Sequence, residues 1–95
     1  MKTKDFWERV KRNFENSYEC YLCHVDSDFA QEWEENDDFA FHCLDLAGQF
    51  LEKNPQSDIK VGNIFISSLF RCCGGDLIRR SIRLDFLNWI IETQY

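Results

Sequence analysis

Apolar residues in this chain recur at helical rather than strand spacing. Phe6, Val10, Phe14 and Tyr18 fall every four residues, with Trp7 beside them, which predicts an amphipathic helix from about Lys4 onward with Thr3 as its cap. Glu8 and Arg12, spaced i to i+4, are expected to pair on its outer side. From Tyr18 to Val25 the pattern fits a helix and an extended segment almost equally. A second start falls at Ser27 or Asp28, with Gln31 three residues beyond Asp28 in the manner of a capping box, and Phe29 and Trp33 then share a face.

Asn36-Asp37-Asp38 reads as a break and a fresh cap. After it Phe39, Cys43, Leu46, Ala47 and Phe50 form the clearest helical stripe in the chain. Lys53-Asn54-Pro55-Gln56-Ser57 is a loop, because Pro55 holds Asn54 out of the helical region. Val61, Ile64, Phe65, Ser68, Leu69 and Cys72 then predict a helix capped by Ser57 and stopped at Gly74-Gly75. Gly62-Asn63 offers a competing hairpin turn between two short apolar runs. Asp76 caps the last element, in which Leu77, Ile78, Ile82, Phe86, Trp89 and Ile90 face inward while Arg79, Arg80 and Arg83 face out.

These elements predict one all-α domain over residues 1–95, a small bundle or orthogonal array of four to five helices, with α+β containing a short hairpin as the alternative. The expected core is Phe14, Phe39, Cys43, Leu46, Phe50, Phe65, Leu69, Ile82, Phe86 and Trp89. An aromatic content of 16% among 44% hydrophobic residues is enough apolar material for a single core.

Charge changes the picture more than composition does. The formal net charge is -6, but it is segregated. Residues 18–52 carry Glu19, Asp26, Asp28, Glu32, Glu34, Glu35, Asp37, Asp38, Asp45 and Glu52 and no lysine or arginine. The stretches on either side are each mildly basic. A one-sign block of this kind repels nucleic acid and anionic lipid and attracts basic partners. The bland explanation is a solvated face, neutralised in part by Arg71, Arg79, Arg80 and Arg83 folding against it. No apolar stretch approaches the roughly 18 to 20 residues of a spanning helix, and charges interrupt the first apolar pairs, so a cytoplasmic protein is expected. In that compartment the five cysteines are expected to be thiols and not bridges.

Candidate chemistry is sparse. Cys20-Tyr21-Leu22-Cys23-His24 has the spacing of a c-type haem attachment site, but the expected compartment opposes that use. Cys20 and Cys23 have the spacing for two zinc thiolates, with His42-Cys43 or Cys72-Cys73 to complete the set. A matching second knuckle is lacking, so no metal and no cofactor are expected. Asp26 does not open a calcium loop, because Gln31 stands where the glycine is required. Cys23 beside His24 and His42 beside Cys43 are neighbours on the chain, pointing about 100° apart on a helix, so neither pair is a catalytic dyad and no enzyme is expected. The arginines of the last third favour phosphate, but the overall charge opposes direct nucleic-acid binding.

The leading expectation is a non-enzymatic acidic module. It uses Glu32, Glu34, Glu35, Asp37 and Asp38, with Trp33 as apolar anchor, to occupy a basic surface of a partner protein. Small acidic helical inhibitors of nucleases and of host or phage defence systems mask nucleic-acid-binding surfaces in this way. Two alternatives come from other classes: a zinc-stabilised module built on Cys20 and Cys23, and a structural subunit that self-associates into a homo-oligomer.

Overall fold

The computed structural model describes residues 2–18, 25–54 and 77–95, with side chains in the last stretch from Ser81 onward. Four helices lie there: α1 (Lys4–Glu15), α2 (Ser27–Glu35), α3 (Asp37–Lys53) and α4 (Leu77–Thr93). Among the described residues there is no strand, and the architecture is all-α as expected. The helix-or-hairpin question around Gly62-Asn63, the core assignments of Phe65 and Leu69, the Asp76 cap and the Cys20 to His24 stretch lie outside the described residues.

Three helices start on the same local device. Thr3 Oγ1 accepts the Phe6 amide at 3.2 Å, Asp26 Oδ1 accepts the Phe29 amide at 3.0 Å, and Asn36 Oδ1 accepts the Phe39 amide at 3.2 Å. A polar side chain in extended backbone thus satisfies an amide of the first turn that has no intrahelical acceptor. Each time the amide belongs to a phenylalanine. The three rings meet one another and Trp7, with centroids 5.2 to 6.4 Å apart, so every cap fixes the turn that delivers a core ring. Edge-to-face and stacked pairs of this kind add about 0.5 to 1.5 kcal/mol each beyond the area they bury.

The caps also correct the expected boundaries. The second cap is Asp26 and not Ser27 or Asp28, and Gln31 donates to Glu35 at 3.2 Å instead of closing a capping box. Glu8 pairs back to Lys4 at 3.9 Å and not forward to Arg12. In α1 the buried stripe is Phe6, Trp7, Val10 and Phe14. Tyr18, expected on that stripe, lies past the Asn16 C-cap and is fully exposed, at 103%.

Beyond the four-ring cluster, the core continues along α3 through Cys43, Leu46, Ala47 and Phe50 to Ile82, Phe86, Leu87 and Ile90 of α4. Phe50, Phe86 and Trp89 form a second aromatic group, with centroids 5.5 to 6.5 Å apart. Trp89 sits at the edge of the core, partly buried where full burial was expected. Arg83 is the larger correction: expected to face out, it is 1% exposed. The cause is that α4 packs against both α1 and α3. Two partners widen the buried arc from the Ile82–Phe86 line to Leu87, and Arg83 falls between Ile90 and Leu87 on that arc. The chain ends are stapled as well, the Tyr95 hydroxyl donating to the Lys2 carbonyl at 2.6 Å.

Candidate functional site

The acidic run divides at Glu32 into carboxylates that bind the fold and carboxylates that face water. Asp26 is 5% exposed and fully engaged. Arg9 donates to it through Nε at 2.9 Å and Nη2 at 3.3 Å, and Asn13 Nδ2 donates at 3.0 Å, in addition to the Phe29 amide of the cap. Burial alone raises the Asp26 carboxyl. The hydrogen bonds from Arg9, Phe29 and Asn13 and the Arg9 charge outweigh that, and its pKa lies below the usual value. The Asp26 hydrogen bond likewise holds the Arg9 guanidinium above its usual value, against a smaller effect of burial.

Two further pairs complete the inner group. Arg9 Nη2 reaches Asp28 at 3.2 Å, and Lys2 Nζ reaches Glu32 at 2.9 Å. Lys2 and the Asn36 side-chain amide both donate to Glu32 and lower its pKa. The same cations sit over the aromatic cluster, Lys2 at 5.2 Å from the Phe6 ring centroid and 5.9 Å from that of Phe39, Arg9 at 5.3 Å from Phe6. Among the described residues, the bases that pair with the inner carboxylates are Lys2 and Arg9, from the first segment of the chain. Arg71 and the side chains of Arg79 and Arg80 lie outside the described residues.

The outer group is Glu34, Glu35, Asp37 and Asp38. All four are exposed, and among the described residues none makes an ion pair. Their spacing is set by Asn36, which closes α2 and opens α3 in one residue. Its amide donates to the Glu32 carbonyl at 2.9 Å, its carbonyl accepts the Ala40 amide at 3.0 Å, and its side chain caps Phe39. A junction of one residue leaves little freedom to the corner. Trp33 is partly buried and packs on the core, so it holds α2 in place instead of projecting from it. The six residues singled out in the sequence are thus one surface of four carboxylates on a support made by Glu32 and Trp33.

An open cleft of about 440 Å³ beside this corner is lined by Lys2, Glu32, Asn36, Asp38, Phe39 and His42. Its acids and bases are already paired in part, and no serine, threonine or cysteine lines it among the described residues. Among the described residues no group of three or more His, Cys, Asp or Glu is placed to hold a metal ion. Cys43 is a buried thiol within the core. Cys20 and Cys23 lie outside the described residues. No described helix is long and apolar enough to cross a membrane.

Sequence reasoning missed Arg9 and Lys2 as partners of the block, since their separation from Asp26 and Glu32 carries no periodic signal. It also passed over Phe41 and Leu44, exposed at 69% and 38%; their signal is an apolar residue off the buried stripe of α3. No family model, curated protein or solved structure matches the chain.

Proposed function

We propose that the chain is a non-enzymatic protein-binding module that presents Glu34, Glu35, Asp37 and Asp38 to a basic surface of a partner protein, of the kind that otherwise receives nucleic acid. The observation that carries this reading is the contrast within the acidic run. Asp26, Asp28 and Glu32 each pair with Arg9 of α1 or with Lys2 just before it, while the four corner carboxylates are exposed and form no ion pair among the described residues. Concentrated charge of one sign on a fixed corner repels itself and does nothing for the core. It attracts a basic partner over the roughly 8 to 10 Å that salt leaves unscreened.

The test begins with recovery of the partner from the native cell by pull-down and continues with purified proteins. The variant Glu34→Gln/Glu35→Gln/Asp37→Asn/Asp38→Asn should associate with that partner at least about tenfold more slowly at low salt, the gap closing as salt rises. A variant that associates as fast as the parent at every salt concentration overturns the reading.

A further inference from the structure

We propose that the outward face of α3, centred on Phe41 and Leu44, seats a basic amphipathic helix of the partner protein and supplies the apolar contact that Trp33 does not. The inference rests on the acidic-module reading above and adds the part of the surface that gives affinity beyond charge.

At about 100° per residue, Phe41 points about 160° away from both Phe39 and Cys43 of the buried stripe. It is therefore aimed at solvent, and 69% of it is exposed. Leu44 lies one turn on, next to it on the helix surface. Isolated exposed apolar residues are ordinary, but here two are adjacent and framed. Asp37 and Asp45, one turn before and one turn after Phe41, are both exposed. Gly48 continues the same face, and a Cβ added there would meet nothing within 4 Å. Bare backbone at that point lowers the ridge and lets another helix approach closely, since interaxial distance follows the side chains at the contact.

Charge identifies the occupant. The face carries carboxylates at Asp37, Asp45 and Glu52 and no lysine or arginine before Lys53. A second copy of the chain would set acid against acid along the whole stripe. A helix with apolar residues on one side and lysines or arginines bordering them matches both the apolar centre and the acidic frame, and also runs toward the corner at Asp38.

A fluorescein-labelled peptide with leucines on one helical face and lysines along its borders serves as the probe, and a matched peptide with glutamates for lysines as its control. Anisotropy titration should show binding of the basic peptide only. Phe41→Ala/Leu44→Ala should weaken it at least about tenfold, chiefly through faster dissociation, while the circular-dichroism spectrum stays helical and Phe41→Ala alone, at a residue 69% exposed, leaves the melt unchanged. Unchanged affinity in that variant, together with weakening by Glu34→Gln/Glu35→Gln/Asp38→Asn, overturns this inference and leaves the acidic-module reading standing. Equal binding of the acidic peptide, no binding of either peptide, or a parent dimer that dissociates on Phe41→Ala in sedimentation overturns it too.

Discussion

Asp26 and Asp38 belong to one acidic run and both lie at helix starts, yet they do opposite work. Asp26 caps α2, accepts from Arg9 and Asn13 of α1, and is nearly sealed from water. Asp38 lies in the first turn of α3, is exposed, and forms no ion pair among the described residues, although it lines one cleft with Lys2. The difference is one of position relative to α1. The side of α2 that faces α1 meets Arg9, Asn13 and the Lys2 that precedes them, and carboxylates there become cross-links between segments. At the α2–α3 corner Glu35 accepts only from Gln31 of its own helix among the described residues, and none of the four carboxylates there forms an ion pair with them. Net charge alone would treat the two groups as equivalent, whereas the packing of α1 separates a half that is tied into the fold from a half that is exposed.

The strongest way to break this comparison is to remove the best-connected carboxylate. Asp26→Ala deletes a helix cap, worth about 1 to 2 kcal/mol, and charge-assisted hydrogen bonds worth about 1.5 to 3 kcal/mol, discounted because Arg9 stays partly solvated. A loss on the order of 3 kcal/mol in urea unfolding is expected, a large share of the stability of a chain this size. A loss below about 1 kcal/mol would put Asp26 with the outer group. The same site gives a pH signature. The folded pKa of Asp26 is depressed, so the unfolded chain takes up the proton first as pH falls. The stabilisation is complete above the usual carboxylate range and drains away as pH falls through the lower folded value. Unfolding midpoints should therefore drop more steeply below about pH 4 in the parent than in Asp26→Asn, which has no such proton to bind.

Asn36 tests whether the corner is a built feature. Replacing it by alanine removes the cap of α3 and its donation to Glu32, with an expected cost of about 1 kcal/mol. Hydrogen exchange should rise at the Phe39 amide more than at amides in the middle of α3. Uniform exchange across α3 would mean that the corner is held by the aromatic cluster and not by its cap.

How much of this was legible beforehand follows the range of the interactions. Local ones were readable: the Thr3 and Asn36 caps, the α3 stripe and the stop near Asn54 all follow from spacing and from backbone chemistry within a turn. A recurrent signal stood in plain view in Thr3–Phe6, Asp26–Phe29 and Asn36–Phe39, a cap followed three residues later by phenylalanine. It locates the second cap at Asp26, where a search confined to polar residues just before Phe29 put it at Ser27 or Asp28. Interactions between segments were not readable. Arg83 reads as solvent-facing when α4 is given one partner, and only its packing against both α1 and α3 turns that residue inward. Arg9 carries no mark of being the base that meets Asp26. Of the six site residues, Glu34, Glu35, Asp37 and Asp38 are exposed, but the burial of Trp33 depends on the core beneath α2, which periodicity does not weigh.

The smallest expected effect is a difference of sign inside the outer group itself. Glu34 stands in the last turn of α2, where the exposed carbonyls make the helix end negative, and Asp38 stands in the first turn of α3, where exposed amides make it positive. A carboxylate is disfavoured at the first position and favoured at the second, by about 0.3 to 1 kcal/mol at low salt. Both also suffer repulsion from their acidic neighbours. Glu34→Gln relieves two unfavourable interactions and should raise stability by a few tenths of a kcal/mol. Asp38→Asn relieves one and forfeits a favourable one, so its effect should be close to zero or slightly destabilising. Parallel urea titrations at low and high salt check this, because the difference between the two variants should shrink as salt screens both effects. If Glu34→Gln instead destabilises the protein by more than Asp38→Asn, then Glu34 holds the fold as Asp26 does, and the boundary between the engaged and the exposed carboxylates moves toward the corner.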